Sequence, residues 1–296
     1  MNKILKYLLD KKYRFLVNSD LGFYKSMSDE EYLKKKYEYS IGESLSLDNP
    51  QTFNEKLQWL KLYDRKEIYT SMVDKYEVKE YVANRIGEEY IVPTYGIWES
   101  FDEINFNELP ESFVLKCTHD SGGLIICREK NKLDVSAARK KIERCLKTNY
   151  FWLGREWPYK NVKPRILAEK YLGDSVNPIN DYKIYAFNGS AKFMMINQDR
   201  GIHTKADYYD RNFKELDFTW GYDHSVIRPQ KPVNFKLMFE LADSLSNGLP
   251  EIRVDFYEIA GKVYFGELTF FDGSGFDPII PKEWDVKLGE YIEIPR

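Results

Sequence analysis

The 296-residue chain is poor in the residues that build metal and disulfide scaffolds, with three cysteines (Cys117, Cys127, Cys145) and three histidines (His119, His203, His224). No Cys-x-x-Cys, His-x-x-His or His-Glu-x-x-His spacing occurs, which argues against a zinc ribbon or zinc hydrolase, and an odd thiol count does not suit a disulfide framework. There is no Gly-x-Ser-x-Gly elbow to present a serine nucleophile and no Walker-type phosphate loop. Apolar runs stay short of the roughly 18 residues of a membrane span, and the first residues lack a signal-peptide cleavage pattern. Charge is nearly balanced, 44 Lys+Arg against 47 Asp+Glu, so no broad basic field invites a nucleic-acid backbone. A reducing cytoplasm is the expected compartment.

What is abundant is apolar and aromatic mass, 43% and 16% of residues, enough for about two domains at ~100–200 residues each. Hydrophobic periods divide the chain into a helical N-terminal segment (1–66) and two β-rich lobes (67–168 and 169–296). Ile4, Leu5, Leu8, Leu9, Phe15 and Leu16 recur among Lys3, Lys6, Lys11, Lys12 and Arg14. That is a basic amphipathic helix, to be docked on its own domain or on a membrane surface. A second helix starts after Asn49-Pro50-Gln51-Thr52, and a third is expected over about 68–86, ending at Gly87. Strands are expected near 90–98, 112–118, 124–129 and 165–172, and helices over 134–148 and 234–249. One hairpin turns at Asn188-Gly189, another at Ala260-Gly261-Lys262, and a Gly-rich tail follows. Helices mixed with antiparallel hairpins predict an α+β fold rather than a doubly wound sheet.

The last hairpin carries the clearest chemistry. A three-residue loop sets Asp255 opposite Glu267 and Arg253 opposite Thr269 on one face, with Ile252, Val254, Phe256 and Leu268 on the other. Directly opposed carboxylates repel unless neutralised, and hard oxygens of this kind select Mg²⁺ or Mn²⁺. The bland alternative is a surface ion pair made by Arg253 alone. A second feature is FVLKCTHDSGG, where an apolar strand delivers Lys116 to a polar loop ending in Gly122-Gly123. Such a loop lets backbone N–H groups approach an anion, though a plain hairpin reads the same way. Asp74-Lys75, early on the 68–86 helix, and Glu169-Lys170-Tyr171-Leu172, between the lobes, are weak signals alone.

In order, these pieces resemble the ATP-grasp superfamily: Asp74-Lys75, Lys116 with Ser121-Gly122-Gly123, Glu169 to Leu172, Arg253-Val254-Asp255 and Glu267-Leu268-Thr269. NPQTFNEKLQWLKLYD, DKYEVKEYV, IGEEYIVP, KCTHDSGG and DYKIYAFNG are similar to TupA-like ATP-grasp proteins of bacterial cell-surface polysaccharide and teichuronopeptide clusters, over roughly 48–280. The resemblance implies two α+β lobes gripping ATP, and an ATP- and Mg²⁺-dependent carboxylate–amine ligase that works through an acyl phosphate. It implies a sugar acid or peptide-bearing glycan as substrate and an amine as its partner. Lys75, Lys116, His119, Ser121, Gly122 and Gly123 would meet the phosphates. Glu169, Lys170, Tyr171 and Leu172 would line the adenine, Asp181 the ribose, and Lys183 a phosphate.

Asp255 and Glu267 would hold the metal, with Thr269 in the place of the family's usual Asn and Asp272 as a substitute ligand. Arg253, Lys116 and Lys183 would stabilise the phosphoryl group in flight. His119, Arg200, His203 and Lys205 are candidates for substrate contact. Residues 1–66 are too few and too helical for the Rossmann-like domain that precedes this grip in most relatives. A glycosyltransferase or a kinase acting on a polysaccharide precursor, and a nucleotide-responsive scaffold, are the competing readings.

Overall fold

The computed structural model describes residues 3–120, 122–173, 180–198 and 204–295. Ser121, Arg200 and His203 lie outside the described residues. The chain opens with α1 (Lys3–Leu9), α2 (Lys11–Asp20) and α3 (Asp29–Ile41). Ser28 caps α3 and Asp10 caps α2, each hydroxyl or carboxylate accepting from an otherwise orphaned N–H. Phe15, Tyr32, Leu33 and Tyr37 close a small core with Leu45, Leu47 and Phe276. Helix α1 buries no residue, and Leu5, Leu8 and Leu9 stay exposed at 48, 61 and 69%.

Helix α4 (Phe53–Tyr63) begins with a capping box in which Thr52 and Glu55 satisfy each other's backbone N–H groups. The expected 68–86 helix is two helices, α5 (Ile68–Val73) and α6 (Val78–Ile86). The break is made by Asp74, whose backbone is extended and whose Oδ1 accepts from the N–H groups of Tyr76 and Glu77 at 2.8 and 3.1 Å. A short polar side chain that bonds its own backbone competes with helix continuation.

Strands β1 (Thr94–Trp98), β2 (Phe113–Cys117), β3 (Leu124–Cys127) and β4 (Ile166–Lys170) form an antiparallel sheet in the order β1-β4-β2-β3. Helix α7 (Val135–Leu146), capped by Asp134, contributes Ala138, Ile142 and Cys145 to a core with Phe113, Leu115 and Cys117. The short α8 (Phe151–Gly154) follows. The second sheet takes β5 (Asp181–Phe187), β6 (Ser190–Gln198), β7 (Lys205–Asp210), β9 (Ile252–Ile259) and β10 (Lys262–Thr269) in the order β10-β9-β5-β6-β7. Asn188 and Gly189, both at positive φ, turn β5 into β6, as an Asn-Gly hairpin requires. Helix α9 (Phe235–Ser246) shares this sheet's core with Phe53, Leu57 and Leu60 of α4.

The expected Gly-rich tail is ordered. It supplies β11 (Ile279–Ile280), paired with β8 (Thr219–Trp220), and α10 (Lys282–Glu290). Helix α10 is fastened to α4 by Asp285, which accepts from the Asn54 N–H at 3.0 Å, and by Lys56, which donates to the Gly289 and Ile292 carbonyls. Its apolar positions, Trp284, Val286 and Leu288, alternate rather than recur at helical spacing, so they give no helical period.

Candidate functional site

A cleft of about 780 Å³ lies between the two sheets. Lys75, Lys116, Gly123, Asp181, Lys183, Arg253, Asp255, Glu267 and Thr269 all line it. Nine residues singled out in the sequence are thus brought together from across most of the chain.

The β9–β10 hairpin places them by a route the sequence arithmetic did not anticipate. Its loop has two residues, Ala260 and Gly261, both at positive φ, the two-residue turn whose twist matches the strands. The register from the turn to Phe256↔Phe265 is therefore one residue off the expected pairing. A bulge at Gly266 restores it, giving Asp255↔Glu267 and Arg253↔Thr269. Two errors cancel. The bulge also lets Phe265, two residues from Glu267 and so of equal parity, sit 4% exposed in the core while Glu267 lines the cleft.

Arg253 joins the carboxylates on this wall. Its guanidinium donates to Asp255 at 2.7 and 2.9 Å, to Glu267 at 3.0 Å and, in a short contact, to Asp272. Lys183 on β5 faces Asp255 in register, pairs with it closely and lies 2.9 Å from Asp181. Burial pushes the Glu267 carboxyl up, yet Lys75, Arg253, Lys183 and Lys116 together hold it at about 2. Burial dominates at Asp255, whose carboxyl is raised despite Arg253 and Lys183. Asp255, Glu267 and the Thr269 hydroxyl, which donates to Glu267 at 3.3 Å, form a hard-oxygen donor set that fits Mg²⁺ or Mn²⁺. Asp272, expected as a substitute ligand, has both oxygens engaged by Arg253 and Tyr185. Asp255 is engaged in the same way, by Arg253 and Lys183, so these bonds do not separate the two aspartates as ligands, and both position the guanidinium.

Behind the facing wall, Glu169 is clasped by the cleft-lining Lys116 at 2.6 Å and by Lys79 at 2.6 Å. Burial opposes its charge, but these two lysines lower its pKa below the ordinary carboxylate value. Lys79 escaped the sequence reading because a lysine on a predicted helix looks like any solvated charge. Lys75 sits on the α5–α6 break rather than on a helix. Its N–H donates to the Thr118 carbonyl at 3.1 Å and its ammonium donates to the Asp120 carbonyl.

Other expected residues are placed differently. Glu169, Lys170, Tyr171 and Leu172 are outside the cleft lining, and the Lys170 N–H is used by the Pro93 carbonyl at 2.9 Å. The Gly123 N–H is taken by Asp120 Oδ1 at 3.0 Å, and a Cβ there would lie 2.6 Å from Cys117 Sγ, so this glycine is needed for close packing. Gly122 has open space around it. His119 is 2% exposed and its Nε2 lies 3.1 Å and 3.2 Å from the Cys145 and Thr148 carbonyls. It fastens the end of α7 and does not reach the cleft. Lys205 pairs with Asp223 at 3.1 Å. His224 gathers with Asp207 and Glu215, but Arg228 pairs with both carboxylates, at 2.9 and 2.8 Å.

No curated protein matches the chain. Among solved structures it is similar to D-alanine–D-alanine ligase from Helicobacter pylori (16% identity, 81% of this chain and 69% of that one, TM-score 0.42). It is also similar to N5-carboxyaminoimidazole synthetase from Staphylococcus aureus complexed with ADP (14%, 83% and 61%, TM-score 0.45). The chain spans between 48 and 69% of the length of such structures. Residues 55–293 match the TupA-like ATP-grasp family. With most of its length inside that match, the chain belongs to the TupA-like ATP-grasp family of ATP-dependent ligases.

Proposed function

We propose that the protein is an ATP- and Mg²⁺-dependent carboxylate–amine ligase that forms an amide through an acyl phosphate, with a sugar acid or peptide of a bacterial cell-surface polysaccharide as the carboxylate. The observation that carries this is the opposite charge excess of the two cleft walls. Lys75 and Lys116 outnumber Asp120 among the residues lining one wall, with the Lys79–Glu169 pair behind Lys116, while Asp181, Asp255, Glu267 and Asp272 outnumber Lys183 and Arg253 on the other. A polyphosphate bound together with a divalent cation has the complementary polarity.

In this reading Lys75 and Lys116 meet phosphate oxygens, and Asp181 lies where a ribose hydroxyl would be accepted. Arg253, held in place by Asp255 and Asp272, offers N–H donors to the phosphoryl group as it transfers. Asp255, Glu267 and Thr269 would hold the metal ion, which supplies neutralisation of phosphate charge when bound. The remaining work is to position two substrates, so no side-chain nucleophile is needed.

The test incubates the full chain with ATP, Mg²⁺ and pools of uronic acids and amino acids, following ADP and product mass. ADP with a condensation product supports the ligase. A phosphorylated hydroxyl, or sugar transfer without ATP, identifies the kinase or glycosyltransferase instead.

A separate observation supports a membrane contact. Leu5, Leu8 and Leu9 are exposed on α1 beside Lys3, Lys6, Lys11, Lys12 and Arg14, while none of the described helices is long and apolar enough to cross a membrane. An apolar stripe rimmed by cations suits an anionic lipid surface. Co-sedimentation with phosphatidylglycerol vesicles, abolished in Leu5→Asp/Leu8→Asp and absent with phosphatidylcholine, is the expected result; equal recovery in all three overturns it.

A further inference from the structure

The cleft continues past Arg253 to a second end walled by Tyr150, Glu156, Tyr159, Trp220, Ser274 and Asp277. Nothing in the phosphate and cation chemistry uses this end. Glu156 is 4% exposed, and among the described residues no lysine, arginine or histidine forms an ion pair with it. The two cations whose charges act on it are engaged with other oxygens. Lys61 donates to Gln58 Oε1 at 3.0 Å, to the Gly154 carbonyl at 2.9 Å and to Ser274 O and Oγ at 2.6 and 3.0 Å, and Lys36 donates to the Leu153 carbonyl.

Ser274 ties this end to the cation wall. It sits at φ +56° between Gly273 and Gly275, both also at positive φ, a backbone that a side-chain-bearing residue adopts only under strain. The turn that follows Asp272 thereby carries the Ser274 hydroxyl, which accepts from Lys61 at 3.0 Å, to the side of Glu156: a Cβ added at Gly154 would lie 2.0 Å from Ser274 Oγ and 2.8 Å from Glu156 Oε1. Tyr159 lies between the two ends, its buried hydroxyl within the fields of both Glu156 and Glu267. The opposing charge nearest in effect is the buried Lys61 ammonium, which burial pulls down to about 7, so it offsets the Glu156 carboxylate only in part and leaves room for a second cation from the cleft.

We propose that Glu156 forms the acceptor-amine subsite, binding the ammonium of the incoming primary amine and taking one of its protons. This rests on the ligase reading above. The ammonium gives one proton to the Glu156 carboxylate, and the freed nitrogen lone pair forms the C–N bond at the acyl-phosphate carbonyl carbon. As the C–O bond to phosphate breaks, its electron pair leaves with the phosphate. The second nitrogen proton follows to the phosphate and a neutral amide remains. Burial raises the Glu156 carboxyl above its ordinary value, against the pull of Lys61, which moves it toward the range of an effective base near neutrality.

Hydroxylamine is the discriminating probe, because near neutral pH it is largely unprotonated and attacks an acyl phosphate without a base. With ATP, Mg²⁺ and uronic acids, the wild-type chain forms amides with added amino acids and hydroxamates with hydroxylamine. In Glu156→Gln, amide formation falls about 10²–10⁴-fold while hydroxamate yield stays within about threefold, as loss of a proton acceptor predicts. Equal loss of both products, or retention of the amide, overturns the role of Glu156 and leaves the ligase standing. A wild-type chain that forms neither product overturns the ligase reading and this proposal with it.

Discussion

The two walls of the cleft solve the same problem, burying charge on a sheet, in opposite ways. Behind the wall made by the four-stranded sheet a single carboxylate, Glu169 on β4, is shared by Lys79 of α6 and the cleft-lining Lys116, each 2.6 Å away. On the five-stranded sheet two cations, Lys183 and Arg253, are shared by Asp181, Asp255, Glu267 and Asp272. A fold optimised for itself alone would balance each cluster, because excess buried charge raises desolvation penalties without added attraction. Here the first wall is left positive and the second negative, facing each other. On the reading proposed above, the imbalance serves a polyphosphate bound together with a divalent cation.

The comparison is broken most severely at Glu169. Replacing it by Gln leaves two lysines sharing no anion and should cost about 3–5 kcal/mol of stability, read by urea denaturation near neutral pH. Because the Glu169 carboxyl is held below its ordinary value, its contribution is present above the unfolded pKa and is lost as pH falls through the lowered folded one. The gap between wild type and Glu169→Gln should therefore close in acid; a gap that persists at low pH would show that packing, not charge, is responsible. On the other wall, Glu267→Gln removes one of the excess negative charges. Turnover of ATP should fall about 10²–10³-fold, and the Mg²⁺ concentration needed for half-maximal rate should rise. An unchanged Mg²⁺ dependence would detach Glu267 from the metal.

How far the two walls were legible in the sequence follows from how each is built. Asp255, Glu267, Arg253, Lys183 and Asp181 lie on strands, where parity assigns faces, and all five line one cleft. Parity alone nonetheless failed at the turn, and the expected pairs survive only because the Gly266 bulge offsets a loop one residue shorter than expected. The other wall depends on tertiary closure. Nothing in the sequence places Lys79 on α6 against Glu169 on β4, and nothing breaks the 68–86 helix except one aspartate that caps it from within. Asp272 was visible as an acid near the hairpin, but its partners, Arg253 and Tyr185, come from different strands. Glu156 lies on a stretch with no period at all.

A smaller effect sharpens the comparison by testing a carboxylate that neither cluster serves. Glu251 is 2% exposed and, among the described residues, both its oxygens lack a hydrogen-bond partner. Burial, with Asp272 adding to it and Arg253 opposing, drives its carboxyl well above the ordinary range. A raised folded pKa means the native state keeps a proton that the unfolded chain releases. Stability tied to that proton is complete below the unfolded pKa and is lost as pH rises through the folded one. Glu251→Met should therefore gain about 1–3 kcal/mol over wild type in mildly alkaline buffer and much less in acid, by thermal melts at both pH values. A Met variant less stable at both would mean that Arg253 draws on Glu251 after all.

The smallest effect concerns the bulge that aligns the negative wall. A Cβ added at Gly266 would lie 3.1 Å from the Asp255 carbonyl oxygen and 3.2 Å from a ring carbon of Tyr257, so the neighbouring strand must yield by a few tenths of an ångström. Backbone yields less readily than a side chain, and the destabilisation of Gly266→Ala should be about 1 kcal/mol. Because the displaced atom belongs to Asp255, the cation response should move with it: Mg²⁺ should raise the melting temperature of Gly266→Ala less than it raises that of wild type. If the two chains gain equally, the bulge only corrects the hairpin's register; if the gains differ, it also sets the spacing of the carboxylates that make this wall negative.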